Sequence, residues 1–252
     1  MLAAGLRLSA TGLSLGERFD AAPPRIVDNI LLSLAQDGFV EQFMRDAIEL
    51  DDAAAVGWFQ TGVGKVSKLD PLGWSNAVMR LGATGEEREV FERLAQHTPS
   101  FGRVLNFVVC VESAGAKLHG FRYYVKGCTI TRHSDCVGQS ARQRYVATLM
   151  SDCEKQHAVK FQACALDKSG ASVTHAALLQ VYASAVLTLP PNGAYVMGPV
   201  ASGQQAAIDG VMSVHHEPAP APCDSFTMVL DFGSGVDVDV ALAKIEADFL
   251  GK

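Results

Sequence analysis

The sequence predicts an α+β fold in which helices precede a block of antiparallel strands and one helix closes the chain. Apolar residues recur at helical spacing before Thr98-Pro99, β-rich segments follow from Val104, and helical spacing returns over Val236–Leu250. Apolar residues make up 48% of the 252 residues, which is enough to bury a core. On this length we expect one large domain, or one and a half.

Composition and charge exclude several classes of protein. The formal net charge is -6 and the sequence pI is about 5.6, without a basic run, which argues against nucleic-acid capture as the main activity. Charged residues such as Asp37 and Arg45 interrupt the most helical segment, so no stretch reaches the roughly 20 apolar residues of a membrane span. The six cysteines are scattered without CxxC spacing, and we interpret them as buried small residues in a reducing compartment.

Two interpretations of residues 1–20 stay open. Met1 to Gly16 include Arg7, several Leu and Ser, and no acidic residue, which is typical of a mitochondrial presequence. The alternative is a flexible tail ahead of the domain.

Residues 21–70 predict a helix pair ahead of the body, which spans residues 71–252. Pro23-Pro24 marks the boundary, because two prolines cannot continue a helix but can begin one. Apolar residues from Ile26 to Leu34 repeat at three and four positions, Asp37-Gly38 ends that helix, and a second helix follows.

The body is expected to contain a helix over about Ser75–Gln96, six or seven strands, and the closing helix. Turn signals such as Ser113-Ala114-Gly115 and Ser151-Asp152 separate several strands, so neighbours in sequence should pair as antiparallel hairpins. Pro218–Pro222 is interpreted as an exposed loop. The expected strands are Val104–Val111, Gly120–Lys126, Tyr145–Met150, Ala158–Ala165, Ala177–Leu189 and Phe226–Asp231.

Three stretches of the sequence together resemble one known family. Asn106–Thr131 has the pattern of a first hairpin, Arg144–Asp167 that of the next, and Ile26–Leu69 that of a helix pair. In these features the chain resembles the mitochondrial glycoproteins, acidic matrix proteins also known as a complement globular-head receptor. Without the helix pair, the resemblance covers roughly Ser75–Leu250 and includes no invariant catalytic motif. The matching positions of the helix pair are Asp28, Leu34, Ala35, Gly38, Phe43, Glu49, Leu50, Phe59, Val63, Val66 and Leu69.

The resemblance implies a strongly curved antiparallel sheet of about seven strands flanked by helices, assembled as a ring-forming trimer. In that family the helix pair closes the chain, whereas here it precedes the body, so a permutation, a duplication and a chance match stay open. The early helix pair would then dock on a neighbouring subunit. Its candidate partner-docking residues are Trp58, Phe59 and Phe43, with ordinary core residues as the alternative.

One short segment brings together residue types that bind metal. Cys128, His133 and Cys136 place a thiol, an imidazole and a second thiol within nine residues. A structural zinc site usually has four ligands, so Asp135 or His157 would have to join. Strand alternation explains the cysteine as an inward-facing residue, and we favour that interpretation.

Three further motifs are not interpreted as metal-binding or catalytic sites. His215-His216-Glu217 contains possible ligands, but adjacent side chains of an extended segment point apart, which favours a solvated loop. Asp231-Phe232-Gly233 matches the magnesium-binding tripeptide of kinases, and no other kinase motif accompanies it. Cys153 and His157 are interpreted as surface turn residues rather than as a nucleophile and its base.

These observations predict a non-enzymatic protein of the mitochondrial matrix, with no catalytic residue, cofactor or metal. The resemblance implies a trimeric scaffold or chaperone that supports mitochondrial ribosome assembly or translation. Its partners would be homologous subunits in a homo- or hetero-trimer and basic ribosomal or assembly proteins, with RNA bound only indirectly. The alternatives are a structural subunit of the mitoribosome or of a respiratory complex, and an enzyme that uses Cys128, His133 or Cys153.

Overall fold

The structure is a computed structural model whose described residues include ten strands and three helices with defined bounds, and further helical residues at 42, 46, 89, 92–93 and 95–96. The described residues are 23–33, 42, 46, 77–81, 89, 92–93, 95–96, 98–124, 126–127, 133–134, 142–150, 155–166, 179–200, 213–223, 225–233 and 235–251. The strands are β1 (Arg25–Val27), β2 (Ala77–Leu81), β3 (Ala116–Tyr124), β4 (His133–Ser134), β5 (Arg142–Met150), β6 (His157–Leu166), β7 (Leu179–Leu189), β8 (Ala194–Val200), β9 (Ser213–Pro218) and β10 (Ser225–Phe232). The helices are α1 (Ile30–Ser33), α2 (Pro99–Ser113) and α3 (Val238–Leu250).

The strands form two antiparallel sheets. The larger sheet has the order β1-β8-β5-β10-β3-β2, and the smaller sheet has the order β4-β9-β6-β7. From β3 onward the chain passes repeatedly between the sheets, so that β3, β5, β8 and β10 belong to the larger and β4, β6, β7 and β9 to the smaller. Eight strands connected in this way form a jelly roll, which is built from two Greek keys.

The larger sheet buries both of its faces. Its inner face contributes Val146, Val229 and Tyr195 to a cluster with Val159 and Phe161 of the smaller sheet. The alternate residues of the same strands face the other way and pack with α2 and α3 in a second cluster. Because strands covered on both sides can be apolar at successive positions, β5 contains Tyr145-Val146-Ala147 and β10 contains Met228-Val229-Leu230.

The predicted fold class is wrong in its architecture. We expected a single curved sheet of about seven strands in a ring-forming trimer, and the structure has two facing sheets. An apolar sheet face has to be buried against another element. Helices cover one face of the larger sheet, and the smaller sheet covers the other.

Helix α2 replaces an expected strand, Val104–Val111, and also the first half of the hairpin expected at Asn106–Thr131. Thr98 precedes the helix as its N-cap residue, and Pro99 occupies the first turn, where a missing N–H costs nothing. The segment is rich in β-branched residues, which favours a strand by propensity. Burial of one helical stripe against the larger sheet outweighs that preference. The buried residues of α2 are Ser100, Phe101, Val104, Phe107, Val108, Cys110 and Val111.

Helix α3 confirms the closing helix expected over Val236–Leu250. The Asp237 carboxylate accepts hydrogen bonds from the backbone N–H groups of Asp239 (3.0 Å) and Val240 (3.2 Å), which caps the first turn. Phe249 packs edge-on against Phe107 of α2, with ring centroids 5.6 Å apart. In the described part of the chain, no helix has the length and apolar character needed to cross a membrane.

The segment after Pro24 begins as a strand rather than as the expected helix. β1 pairs with β8, with Ile26 opposite Tyr195, and helical structure starts only at Ile30. Its start is held by the Tyr145 hydroxyl, which lies 3.3 Å from the backbone nitrogen of Ile30. The helix expected over Ser75–Gln96 is wrong in its first part, because residues 77–81 form β2 at an edge of the larger sheet. In its second part residues 89, 92–93 and 95–96 are helical, as expected.

Five of the six expected strands are confirmed as β3, β5, β6, β7 and β10, with boundaries that differ by a few residues. Their pairing is mostly not by neighbouring hairpins. β6 pairs with β7, but β10 lies between β3 and β5, and β5 pairs on its other side with β8. The strands that the sequence pattern does not predict are β1, β2, β4, β8 and β9. Each of these pairs with a strand distant in sequence or is only two to seven residues long.

Candidate functional site

His216 occupies a central position in the smaller sheet. Its strand, β9, pairs on one side with β4, where His133 lies directly opposite His216, and on the other side with β6, where Phe161 lies opposite it. His216 is only 5% exposed. The prediction of a solvated loop at His215-His216-Glu217 is therefore wrong, because pairing with two distant strands turns this segment into an interior strand.

Two aromatic rings hold the His216 imidazole. The Tyr195 hydroxyl reaches across from the larger sheet and lies 3.0 Å from Nδ1 of His216. The Phe161 ring stacks on the imidazole with centroids 6.3 Å apart and planes 26° apart. Phe161 also packs edge-on against Tyr195, at 5.2 Å. The imidazole thus lies in a largely apolar interior and has a fixed hydrogen-bonding partner at one nitrogen.

A buried ion pair lies on the inner face of the larger sheet. Arg144 of β5 and Asp231 of β10 are direct register partners and are 1% and 4% exposed. The guanidinium donates two parallel hydrogen bonds, Nε to Oδ1 at 2.6 Å and Nη2 to Oδ2 at 2.9 Å. Asp231 therefore neutralises a buried arginine. The Asp231-Phe232-Gly233 tripeptide has a structural explanation here, since Asp231 pairs with Arg144 and Phe232 is a core residue.

His157, at the start of β6, is tied to the loop that follows β9. Its Nε2 lies 2.9 Å from the carbonyl oxygen of Ala219, and its buried Nδ1 has no hydrogen-bonding partner. Burial lowers the pKa of the imidazole below its ordinary value, and the Ala219 carbonyl partly opposes this effect. The Ala219 N–H also donates to the carbonyl of Ala158, at 2.8 Å. The loop Pro218–Pro222, which we expected to be exposed, is thus anchored and mostly half-buried.

The structure describes only some of the residues singled out in the sequence. His133 lies on β4, His157 on β6, and His215 and His216 on β9. Within the described residues, no group of three or more His, Cys, Asp or Glu side chains is placed to hold a metal ion. The remaining residues that the sequence singled out lie outside the described residues: Phe43, Trp58, Phe59, Cys128, Asp135, Cys136 and Cys153.

Sequence reasoning missed His216 as a buried residue. Val214, His216 and Pro218 share one face of a strand by alternation, but the segment is only six residues long and ends in proline. Alternation was therefore a weak signal for a buried His216. A second signal is His133-Ser134-Asp135 with His216 far downstream, but it points to a shared site only once β4 and β9 are known to pair.

Comparisons with known proteins found solved structures that are similar at low sequence identity. No protein-family model and no curated protein matches the sequence. A solved structure of a prolyl-4-hydroxylase from Pseudomonas putida is similar, with a TM-score of 0.39 and 10% identity over 87% of this chain and 96% of that chain. HygX from Streptomyces hygroscopicus with nickel, 2-oxoglutarate and hygromycin B bound gives a TM-score of 0.33 and 11% identity, over 86% and 84%. HygX with nickel and 2-oxoglutarate gives 0.30 and 12%, over 87% and 85%.

These findings correct the expectations drawn from the family resemblance. The resemblance to the mitochondrial glycoproteins is wrong, because Asn106 to Ser113 are helical and the strands form a jelly roll. The trimeric scaffold or chaperone for ribosome assembly was implied by that resemblance and is wrong as well, as is the structural-subunit alternative. The prediction that the chain is not an enzyme went together with that resemblance and loses its basis with it. The matrix location and the suggested partners stay predictions.

Proposed function

We propose that this chain is a mononuclear non-haem iron oxygenase whose metal is held by His133, His216 and a carboxylate. The observation that supports this is the register of β4 and β9, in which the two histidines are direct partners. Directly opposed residues of antiparallel strands share a face, with Cβ atoms about 5 Å apart. That spacing allows two imidazoles to bind one ion. Two histidines and one carboxylate with open positions are the ligand set of non-haem Fe(II) oxygenases.

The surroundings of His216 fit a metal ligand. Histidines that bind metals usually have a hydrogen-bonding partner at the other ring nitrogen, which sets the tautomer and the ring orientation. Tyr195 occupies that position at Nδ1, so the metal would be bound through Nε2. Phe161 and its apolar neighbours limit access of water on this side of the ring. Iron bound there would supply the activation of dioxygen, and the chain's own residues would orient the ligand and exclude water.

The sequence indicates which carboxylate to test. Asp135 follows His133 by two residues, and residues two apart in an extended segment lie on the same side. Asp135 lies outside the described residues, so its role is a proposal from spacing alone.

The first experiment is a metal-binding titration of the purified full chain under anaerobic conditions, with Fe(II) and with Ni(II) as a stand-in inert to dioxygen. We expect one ion per chain. His133→Ala, His216→Ala and Asp135→Ala should each weaken binding about 100-fold or more, because each removes one of three protein ligands. His215→Ala is the matched control, since it removes the adjacent imidazole of β9, which lies opposite Ser134 instead of His133. Binding by the wild type that is unaffected in H216A would overturn the proposal.

The second experiment tests activity. The iron-loaded chain is supplied with dioxygen and 2-oxoglutarate, the compound held in the HygX structures, and uptake of dioxygen is followed. We expect uptake that depends on iron and is absent in H133A and H216A but retained in H215A. Tight metal binding without uptake of dioxygen, for 2-oxoglutarate or any other 2-oxo acid, would show that the chain binds metal but would refute the oxygenase.

A further inference from the structure

The hydrogen bond between Tyr195 and His216 joins the two sheets across the interior of the jelly roll. Tyr195 belongs to β8, where it lies opposite Val146 of β5 and Ile26 of β1, while His216 belongs to β9. The two residues are 2% and 5% exposed, so their contact lies within the protein. A change in the position of the tyrosine oxygen would therefore change the hydrogen bond to Nδ1 of the imidazole directly.

Ring packing fixes the geometry of this contact. Phe161 is the register partner of His216 and stacks on it, and the edge of the Phe161 ring also meets Tyr195. The Tyr195 ring itself lies 6.4 Å from the imidazole, at an angle of 68°. Three mutually packed rings leave the hydroxyl little freedom to move away from Nδ1. The phenol is therefore suited to orient the imidazole.

The chemistry of a neutral imidazole makes the identity of the partner atom important. One ring nitrogen carries the proton and the other the lone pair, and a phenol can either donate or accept. If the phenol oxygen accepts from Nδ1–H, the lone pair is on Nε2. If the phenol donates to Nδ1, the lone pair is at the wrong nitrogen for an ion bound through Nε2.

We infer that Tyr195 is a positioning residue for the metal: its hydroxyl oxygen accepts the Nδ1–H of His216 and so directs the Nε2 lone pair to the ion. This inference rests on the proposed function, because it assigns a role at the same site. It adds a residue from the opposite sheet, and it makes the approach of the two sheets part of the metal site. Removal of such a partner typically weakens metal affinity roughly 10- to 100-fold.

The test compares two matched variants that each remove one buried phenolic oxygen. Tyr195→Phe keeps the ring and its packing on Phe161 but removes the partner of His216. Tyr145→Phe also removes a buried hydroxyl, which bonds to the Ile30 backbone on the outer side of the larger sheet. We expect Y195F to bind Ni(II) 10- to 100-fold more weakly than the wild type, and Y145F to bind it with unchanged affinity.

A second readout does not require metal. Nitrogen-15 spectra of the histidine side chains, taken on the metal-depleted full chain at one fixed pH, distinguish the two tautomers, and H216A assigns the His216 signal. We expect the Nδ1–H form in the wild type and in Y145F, and a mixture or the Nε2–H form in Y195F.

The outcomes separate this inference from the proposed function. If the wild type binds metal and Y195F binds it equally well with the same tautomer, the inference is wrong and the proposed function stands. If the wild type binds no metal, the proposed function fails, and the nitrogen-15 spectra alone test whether Tyr195 orients His216. A change of tautomer confined to Y195F would then support the orienting role of Tyr195, and an unchanged tautomer would overturn it.

Discussion

At the scale of single residues, the buried ion pair shows how much the interior depends on charge compensation. Arg144 and Asp231 are both almost fully buried, and each carries a charge that water would otherwise solvate. Removing one member leaves the other buried without this opposite charge, whereas replacing both by apolar residues is often close to neutral. We therefore expect a large loss of stability when one of the two residues is replaced and a small one when both are replaced together.

We predict that Arg144→Met lowers the free energy of unfolding by about 3–5 kcal/mol, because Asp231 is left buried without its partner. The double variant R144M/D231L should regain most of this loss. Urea unfolding of the wild type and both variants measures it. Lys244→Met breaks an exposed i,i+4 pair with Asp248 and serves as the control, with an expected loss below about 1 kcal/mol. A double variant no more stable than R144M would contradict the argument.

His157 makes the stability of the chain depend on pH. Burial lowers the pKa of the folded imidazole, so between that pKa and about 6.5 the unfolded chain binds more protons than the folded chain. Stability should therefore fall as the pH decreases below about 6.5. His157→Gln cannot take up a proton and retains an N–H for the Ala219 carbonyl, so its decline over this range should be shallower. Parallel curves for the two proteins in denaturant melts from pH 7.5 to 5 would exclude His157 as the source.

At the scale of elements, the two long helices show when local sequence is decisive and when it is not. α3 is recognisable because its apolar period and its capping aspartate agree. α2 is not recognisable, because Val104–Val111 fits a buried strand as well as a helix when short apolar runs are judged by pattern alone. Its helical form follows from the sheet on which it packs.

We predict that Asp237→Ala destabilises the protein by about 1 kcal/mol, because the backbone N–H groups of Asp239 and Val240 lose their acceptor. Asp237→Asn should retain most of the stability, since asparagine is an equally good N-cap. Thermal unfolding measures both, and Glu246→Ala on the exposed side of α3 is the control. Equal losses in D237A and D237N would mean that the charge, and not the cap, stabilises the helix.

At the scale of the whole molecule, the proposed metal site connects two strands that are neighbours in the smaller sheet but distant in sequence. β4 and β9 are separated by four other strands in the chain and form a pair only in the folded state. An ion bound to both should therefore stabilise the folded chain and have little affinity for the unfolded one.

We predict that Ni(II) at about 100 times its dissociation constant stabilises the fold by about 2.7 kcal/mol, which raises Tm by roughly 5 °C or more in a chain of this size. A chelator should reverse the shift. Scanning calorimetry with and without the ion measures it, and H216A should show no shift while H215A should behave as the wild type does. A shift of equal size in H216A would place the ion elsewhere.

The features that are encoded locally could be predicted from the sequence alone. Alternation and β-branched residues located β3, β5, β6, β7 and β10, and a 3.6-residue period with a capping residue located α3. Contacts between distant segments make residues 104–111 helical, place β9 inside a sheet, and arrange the strands in two facing sheets instead of one curved sheet. The candidate site belongs to this second group. His133 and His216 become partners only through a pairing between distant strands, and no connecting turn sets the register of that pair.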